Sequence, residues 1–101
     1  MDSEKTWETE YSGSVALFAA LAHPLRLALT HHLSKGSHTV SELFTCMGVS
    51  QPLVSHHLKI LKEAGVITST QTGRSIMYEV ADHHVTHIIN DVYEHTKENN
   101  S

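Results

Sequence analysis

Apolar residues recur at helical spacing through most of the chain. Small and apolar residues dominate Ser12–Leu21, which predicts a buried helix that His23-Pro24 ends. Residues 25–33 carry leucines at helical spacing and predict a second helix. A short third helix follows Thr39, a suitable N-cap, and ends at Gly48. This first half of the chain is therefore predicted to be helical.

Residues 51–64 predict a longer helix with two chemically different sides. Ser50 is a suitable N-cap, and Gly65 closes the helix. At 100° per residue, Val54, Leu58 and Leu61 gather on one apolar side. The opposite arc is polar and comprises Gln51, Pro52, Ser55, His56, Lys59, Lys62 and Glu63.

Beyond Gly65 the pattern changes from helical to strand-like. Residues 66–70 and 75–80 are rich in β-branched and aromatic side chains, and they flank a turn that contains Gly73. They predict a β-hairpin, and residues 82–98 predict a last helix. Residues 1–10 are polar and are predicted to be frayed, although Trp7 is a candidate to pack on a partner. The predicted fold class is mainly α with a small β-hairpin.

Composition narrows the class of protein. A chain of 101 residues suits one domain, here residues 1–101, and a dimer interface would add to its modest core. No apolar run approaches a membrane span, and the acidic start at Met1-Asp2 is not that of a signal peptide. The single cysteine, Cys46, excludes an internal disulfide and fits the reducing cytoplasm. Ten histidines suggest metal binding or pH sensing.

The order of the predicted elements is typical of a winged helix-turn-helix. Residues 39–64 supply the helix pair and residues 66–80 the wing, so the second helix would lie in the major groove of DNA. The alternative is that the polar arc is only a solvated surface. The net charge of −4 argues mildly against a nucleic-acid partner, but a small basic surface can be presented locally. The candidate DNA contacts are Ser50, Gln51, Ser55, His56, Lys59 and Arg74.

Several motifs resemble one family in order and spacing. The run Ser50-Gln51-Pro52-Leu53-Val54-Ser55-His56-His57-Leu58-Lys59-Ile60-Leu61, followed by Gly65-Val66-Ile67 and Gly73-Arg74, resembles the ArsR/SmtB family of metal-sensing repressors. His23-Pro24-Leu25-Arg26 resembles it too, and the likeness extends over residues 12–98. The resemblance implies a dimeric winged helix protein that binds an imperfect inverted repeat in operator DNA.

The last predicted helix carries metal-ligating residue types at both ends. His84 and His95 face the same side within about 20°, yet they stand about 16 Å apart along the axis. Two ligands of one zinc ion lie only about 2 Å from it, so one helix cannot close the site. Two antiparallel copies can, because the pairs His84–His95 and Asp82–Glu98 have nearly the same midpoint, near Asn90. Each of two equivalent sites would combine Asp82 and His84 with the other chain's His95 and Glu98.

Two imidazoles and two carboxylates suit tetrahedral Zn²⁺ or Co²⁺, and other divalent metals stay open. The same pattern resembles the zinc-sensing members of the family, which implies a repressor that zinc releases from DNA. His83 and His87 could form a weaker local site, but the preferred interpretation is that they support the metal ligands without binding the ion, or face solvent.

Other kinds of function find little support. His83-His84-Val85-Thr86-His87 is superficially similar to a zinc-protease helix, but His84 replaces the catalytic glutamate, so no enzyme and no small-molecule substrate are predicted. The cysteine pair of thiolate-type sensors is incomplete, because Phe44 occupies one sulfur position. Cys46 is therefore interpreted as a small core residue. The alternative function is a winged helix regulator that responds to redox state through Cys46 or to another non-metal signal.

Overall fold

Helices and three short strands make up the computed structural model, which describes residues 5–99. The elements in chain order are α1 (Trp7–Glu10), α2 (Ser12–Leu21), α3 (Pro24–Leu33), β1 (His38–Thr39), α4 (Val40–Met47), α5 (Gln51–Glu63), β2 (Ile67–Thr72), β3 (Ser75–Val80) and α6 (His83–Asn99).

The core lies where α3, α5 and the start of β2 meet, and α2, α4 and α6 close around it. Leucines of α3, α4 and α5 fill its centre, and α6 contributes two apolar residues that lie on one of its sides. The buried apolar residues are Ala20, Leu21, Leu29, Leu33, Leu43, Val54, Leu58, Leu61, Val66, Ile67, Val85 and Ile89. The apolar side predicted for α5 is therefore confirmed as the side that packs.

Local signals fix the pair α4 and α5 as the sequence predicts. The Thr39 side chain accepts a hydrogen bond from the Glu42 backbone N–H, and the Glu42 carboxylate accepts one from the Thr39 N–H, which closes a capping box. That second bond lowers the pKa of Glu42 below its ordinary value. Gly48 ends α4 at φ 70°, a left-handed conformation that suits glycine, and Ser50 caps α5.

We expect Thr39→Ala to lower the free energy of unfolding by about 1 kcal/mol, because it leaves a backbone N–H of α4 without its cap. Denaturant unfolding measures the difference. Thr45→Ala is the matched control, since Thr45 is exposed within the same helix and its loss should change stability by less than about 0.5 kcal/mol. Equal effects of the two substitutions would contradict the role assigned to the cap.

The hairpin is confirmed and is larger than predicted. β2 and β3 pair antiparallel from Ile67 opposite Val80 to Thr72 opposite Ser75, which leaves Gly73-Arg74 as a two-residue turn with Gly73 at φ 63°. β1 adds a third strand to the far edge of β3, with His38 opposite Tyr78. β1 was not predicted, because two residues are too short to give a periodic signal.

Two predictions about the N-terminal region were wrong. Part of the segment predicted to be frayed is helical, since α1 occupies Trp7–Glu10, whereas residues 1–4 lie outside the described part of the chain. The predicted burial of α2 fails as well: only Ala20 and Leu21 are buried, and Phe18 is 56% exposed. One chain offers too little neighbouring structure to cover a helix that is apolar on every side.

Within residues 5–99, no single helix has the length and apolar character to cross a membrane. α2 and α3 meet that criterion only when taken together, and they are bent by 100° relative to each other.

Candidate nucleic-acid interface and metal donors

The polar side of α5 faces solvent along its whole length. Gln51, Ser55, His56 and Lys59 are all exposed, while Val54, Leu58 and Leu61 hold the opposite side in the core. The core therefore holds the inner side of the helix in place, and amide, hydroxyl, imidazole and ammonium groups are available on its solvent-facing side. Those groups can hydrogen-bond the edges of bases or the phosphates of DNA.

The hairpin and α5 form one continuous groove. Gln51 and Ser55 line it from the helix side and Arg74 lines it from the tip of the hairpin, around a volume of about 440 Å³. Ser41 and Tyr78 complete the wall between them, and these two residues were not among the predicted contacts. Three of the predicted residues therefore lie around a single concave surface that is open to solvent.

The other predicted contacts lie outside that groove. Ser50 sits at the N-terminus of α5, where its hydroxyl accepts the Leu53 N–H at 3.4 Å, and His56 and Lys59 lie further around the helix. Lys62 donates to the Ser69 hydroxyl at 2.7 Å and so ties the end of α5 to the base of the hairpin. Three of the chain's seven Lys and Arg residues, Lys59, Lys62 and Arg74, thus belong to α5 and the hairpin.

The predicted metal donors lie at the two ends of α6, and all four side chains are exposed. Asp82 precedes the first turn, where its Oδ1 accepts the N–H of His84 at 3.0 Å and that of Val85 at 3.2 Å. The predicted start of this helix, at Asp82, is therefore one residue too early, because Asp82 caps the helix and α6 begins at His83. Within residues 5–99 of one chain, no three His, Cys, Asp or Glu side chains come close enough to hold a metal ion together.

The opposite side of α6 is anchored to the rest of the fold. Val85 and Ile89 are buried against the core. Asn90 accepts a hydrogen bond from Lys35 at 2.8 Å and donates to the Ser34 hydroxyl at 3.2 Å, both just beyond α3. The middle of α6 is therefore fixed, and the donor-bearing side is turned away from the core.

Exposed apolar side chains cluster beside this helix. Phe18 of α2, Leu27 of α3 and Val92 of α6 are each more than one-third exposed and together line a hollow of about 200 Å³. Leu27 and Val92 also line an adjoining hollow of about 330 Å³, where Tyr93 stacks on His31 at 4.2 Å. We call this surface, defined by Phe18, Leu27, Val92 and Tyr93, the apolar face. Contiguous exposed apolar surface of this kind marks an interaction site.

His57 and Cys46 differ in their exposure. His57, on the inner side of α5, is buried, at 6% exposed. The interpretation of Cys46 as a core residue was wrong, since its side chain is exposed on α4. Leu43 is the buried residue of this helix, and the core does not extend as far as Cys46, one turn later.

The sequence is similar to known bacterial regulators. Residues 23–69 match the family described as bacterial regulatory protein, arsR family. The HTH-type transcriptional repressor SmtB of Mycobacterium tuberculosis is 48% identical over 82 residues, which cover 81% of this chain and 61% of that protein. The biofilm growth-associated repressor of Xylella fastidiosa is 31% identical over 77 residues, which cover 76% of this chain and 68% of that protein. The chain thus spans about three fifths of the length of SmtB.

Solved structures show the same architecture. The homodimeric winged helix-turn-helix DNA-binding domain of a possible ArsR-family transcriptional regulator from Mycobacterium bovis matches with a TM-score of 0.84. The match covers 90% of this chain and 84% of that chain at 23% sequence identity. At this identity the likeness establishes the fold, which is a winged helix-turn-helix with α5 as its second helix and β2–β3 as its wing.

Proposed function

The chain belongs to the arsR family of bacterial regulatory proteins, and from that premise we propose that it is a cytoplasmic, homodimeric transcriptional repressor whose hold on operator DNA is released by zinc. The observation that carries the proposal is the groove in which Gln51 and Ser55 of α5 meet Arg74 of the wing. It joins a helix suited to the major groove with a cation suited to the adjacent backbone or minor groove. Relatives of this chain carry the name repressor.

A second copy of the chain is the partner that fits the apolar face. The exposed Phe18, Leu27 and Val92 come from three helices and form one surface beside the hollows. A self-complementary apolar patch is what a two-fold dimer buries, and the M. bovis domain of the same fold is homodimeric. Two recognition helices related by a two-fold axis would contact an imperfect inverted repeat.

The donor set of α6 suits zinc or cobalt shared between two chains. His84 and His95 are separated by about 16 Å of helix, so each needs donors from elsewhere. Asp82 uses Oδ1 for the helix cap, and its other carboxylate oxygen takes no part in that cap. Asp82 and His84 of one chain with His95 and Glu98 of the other would make a tetrahedral set of two nitrogens and two oxygens. Zinc, when bound, would supply a rigid tie between the two helices.

The anchoring of α6 explains how such a tie reaches the DNA-binding surface. α6 is held to the end of α3 through Asn90 and to the core through Val85 and Ile89. α3 in turn packs on α5. When the two α6 helices are drawn together, each α3 follows, and the two α5 helices no longer match successive major grooves. Coupling of this kind is typically about 1–3 kcal/mol and is reciprocal between the two ligands.

DNA binding is tested by contrasting one predicted base contact with one predicted phosphate contact, using a duplex selected from random-sequence DNA. We expect Gln51→Ala to cost about 1–3 kcal/mol on the selected duplex and to relax its sequence preference. Lys59→Ala should weaken binding to all duplexes alike and reduce the slope of log Kd against log salt by about 1. Fluorescence anisotropy at several salt concentrations measures both effects.

Lys97→Ala is the matched control for charge, because Lys97 lies in the last turn of α6, away from the groove. It should leave the salt slope unchanged. A slope that falls equally in the Lys59 and Lys97 variants, or a wild-type protein that selects no duplex, would overturn the assignment of α5 as the DNA-contacting helix.

A further inference from the structure

A partly buried polar cluster lies on the inner side of α5, which is the recognition helix of the proposed function. His57, on the inner side of α5, accepts a hydrogen bond at Nδ1 from the Arg26 guanidinium at 3.1 Å. Arg26, on α3, also donates from Nε to the Ala20 carbonyl at 2.5 Å, at the end of α2. One guanidinium therefore bridges three helices, and one of them, α2, carries the apolar face at Phe18.

Both histidines of this cluster need an unshared electron pair. Arginine has only donors, so the Nδ1 atom of His57 must accept, and its proton lies on Nε2. His23, whose ring centroid is 4.5 Å from that of His57, accepts the Leu25 N–H at its own Nδ1 and thereby caps α3. A protonated ring donates at both nitrogens, so charging His57 breaks the bond to Arg26 and charging His23 removes the cap.

We propose that Arg26 is a positioning residue that sets the angle of the recognition helix relative to α2 through His57, and that it does so only while His57 is uncharged. The proposal rests on the DNA-binding function argued above. Because α2 contributes to the apolar face and α5 to the DNA surface, this link controls the spacing of two recognition helices in a dimer. Acid would release α5 and weaken DNA binding without any metal.

The electrostatic surroundings of His57 point the same way. Burial lowers the pKa of His57 below its ordinary value of 6.5, and the neighbouring charges of His23, Arg26 and His56 lower it further. Besides α3, the elements that pack against α5 are α2, α4 and β2. α2 and β2 carry no titratable side chain, and α4 carries only Glu42 and Cys46, which are both exposed. Among residues 5–99, no carboxylate contributes to the pKa shift of His57.

The direction of the pH effect follows from this lowered pKa. The folded, linked state excludes a proton that the unlinked or unfolded chain takes up below about pH 6.5. The link therefore contributes fully above pH 6.5 and is lost as the pH falls from 6.5 through the lowered pKa of His57. If the unlinked ring has the ordinary pKa, the loss of DNA affinity one pH unit below 6.5 is at most about tenfold per chain.

The test compares the Kd for the selected duplex at pH 7.5 and pH 5.5, in EDTA, for wild type and two variants. His57→Asn places an amide oxygen near the Nδ1 position but does not titrate in this range. We expect the acid-induced rise in Kd to be smaller for His57→Asn than for wild type, by up to about tenfold per chain. His87→Gln is the matched control, because His87 is an exposed histidine of α6 outside the cluster, and its rise in Kd should equal that of wild type. Equal rises in wild type and His57→Asn would overturn the proposal.

A measurement without DNA separates this proposal from the repressor function. In ¹⁵N-labelled protein, the Nδ1 of His57 should show the unprotonated shift at pH 7.5, and its titration midpoint should lie below 6.5. Arg26→Lys, which keeps the cation but replaces the two separate donor nitrogens Nε and Nη1 with a single ammonium nitrogen, should disturb both signals. A protonated Nδ1 at pH 7.5 would overturn the link even if DNA binds, whereas failure to bind DNA with the expected tautomer would overturn only the DNA-binding function and the role that depends on it.

Discussion

Phe18→Glu should convert the protein from a dimer to a monomer and weaken its binding to the selected duplex by about 10²–10⁴-fold. Phe18 is 56% exposed and does not belong to the core, so the substitution removes no contact that one chain needs. It does place a carboxylate in the centre of the apolar face, where a partner would have to bury it without a counter-charge. A monomer holds one half-site at a time and loses the advantage of binding two together.

Sedimentation equilibrium measures the association, and circular dichroism checks that helix content is kept. Ile76→Glu is the matched control, since Ile76 is a similarly exposed apolar residue on the wing, and this variant should remain dimeric. If folding itself depends on the dimer, the melting temperature of the wild type will rise with protein concentration, which supports the same interface. A Phe18→Glu protein that is still dimeric would show that the second copy docks elsewhere.

The elements that could be predicted are those whose signal is local. The cap at Thr39, the turn at Gly48 and the alternation of apolar and polar sides on α5 depend on residues within a few positions of one another, and all three are confirmed. The hairpin followed from β-branched strands on either side of Gly73. Each of these features specifies the backbone conformation without reference to distant parts of the chain.

The features that were missed depend on distant contacts. The exposure of α2 and of Cys46 reflects how much neighbouring structure one chain supplies, which periodicity does not reveal. The bridge from Arg26 to His57 joins residues 31 positions apart in sequence. Its sequence signals are two separate motifs, one with His23 and Arg26 and the other with His57. The placement of the metal donors on two chains stays a prediction, because it concerns a second molecule.

Zinc should weaken the binding of the wild-type protein to DNA by about 5–150-fold. The His95→Ala variant should still bind the duplex in EDTA but should show no such effect of zinc. The reason is that His95 is exposed at the far end of α6 and contributes no buried surface to the core. His87→Ala on the same helix is the control and should respond to zinc as wild type does. A regulator that senses redox state through Cys46 instead would show no zinc response in any of these proteins.

Sharing of the donors between chains has a sharper test in a mixed dimer. Chains carrying His84→Ala and chains carrying His95→Ala should each fail to bind cobalt with a tetrahedral spectrum as homodimers. In the mixed dimer, the intact His84 of one chain meets the intact His95 of the other, so one of the two sites is restored. Cobalt absorbance should therefore return to about half the wild-type value in purified mixed dimers. If each site were built within one chain, mixing would restore nothing, because every chain would still lack one imidazole.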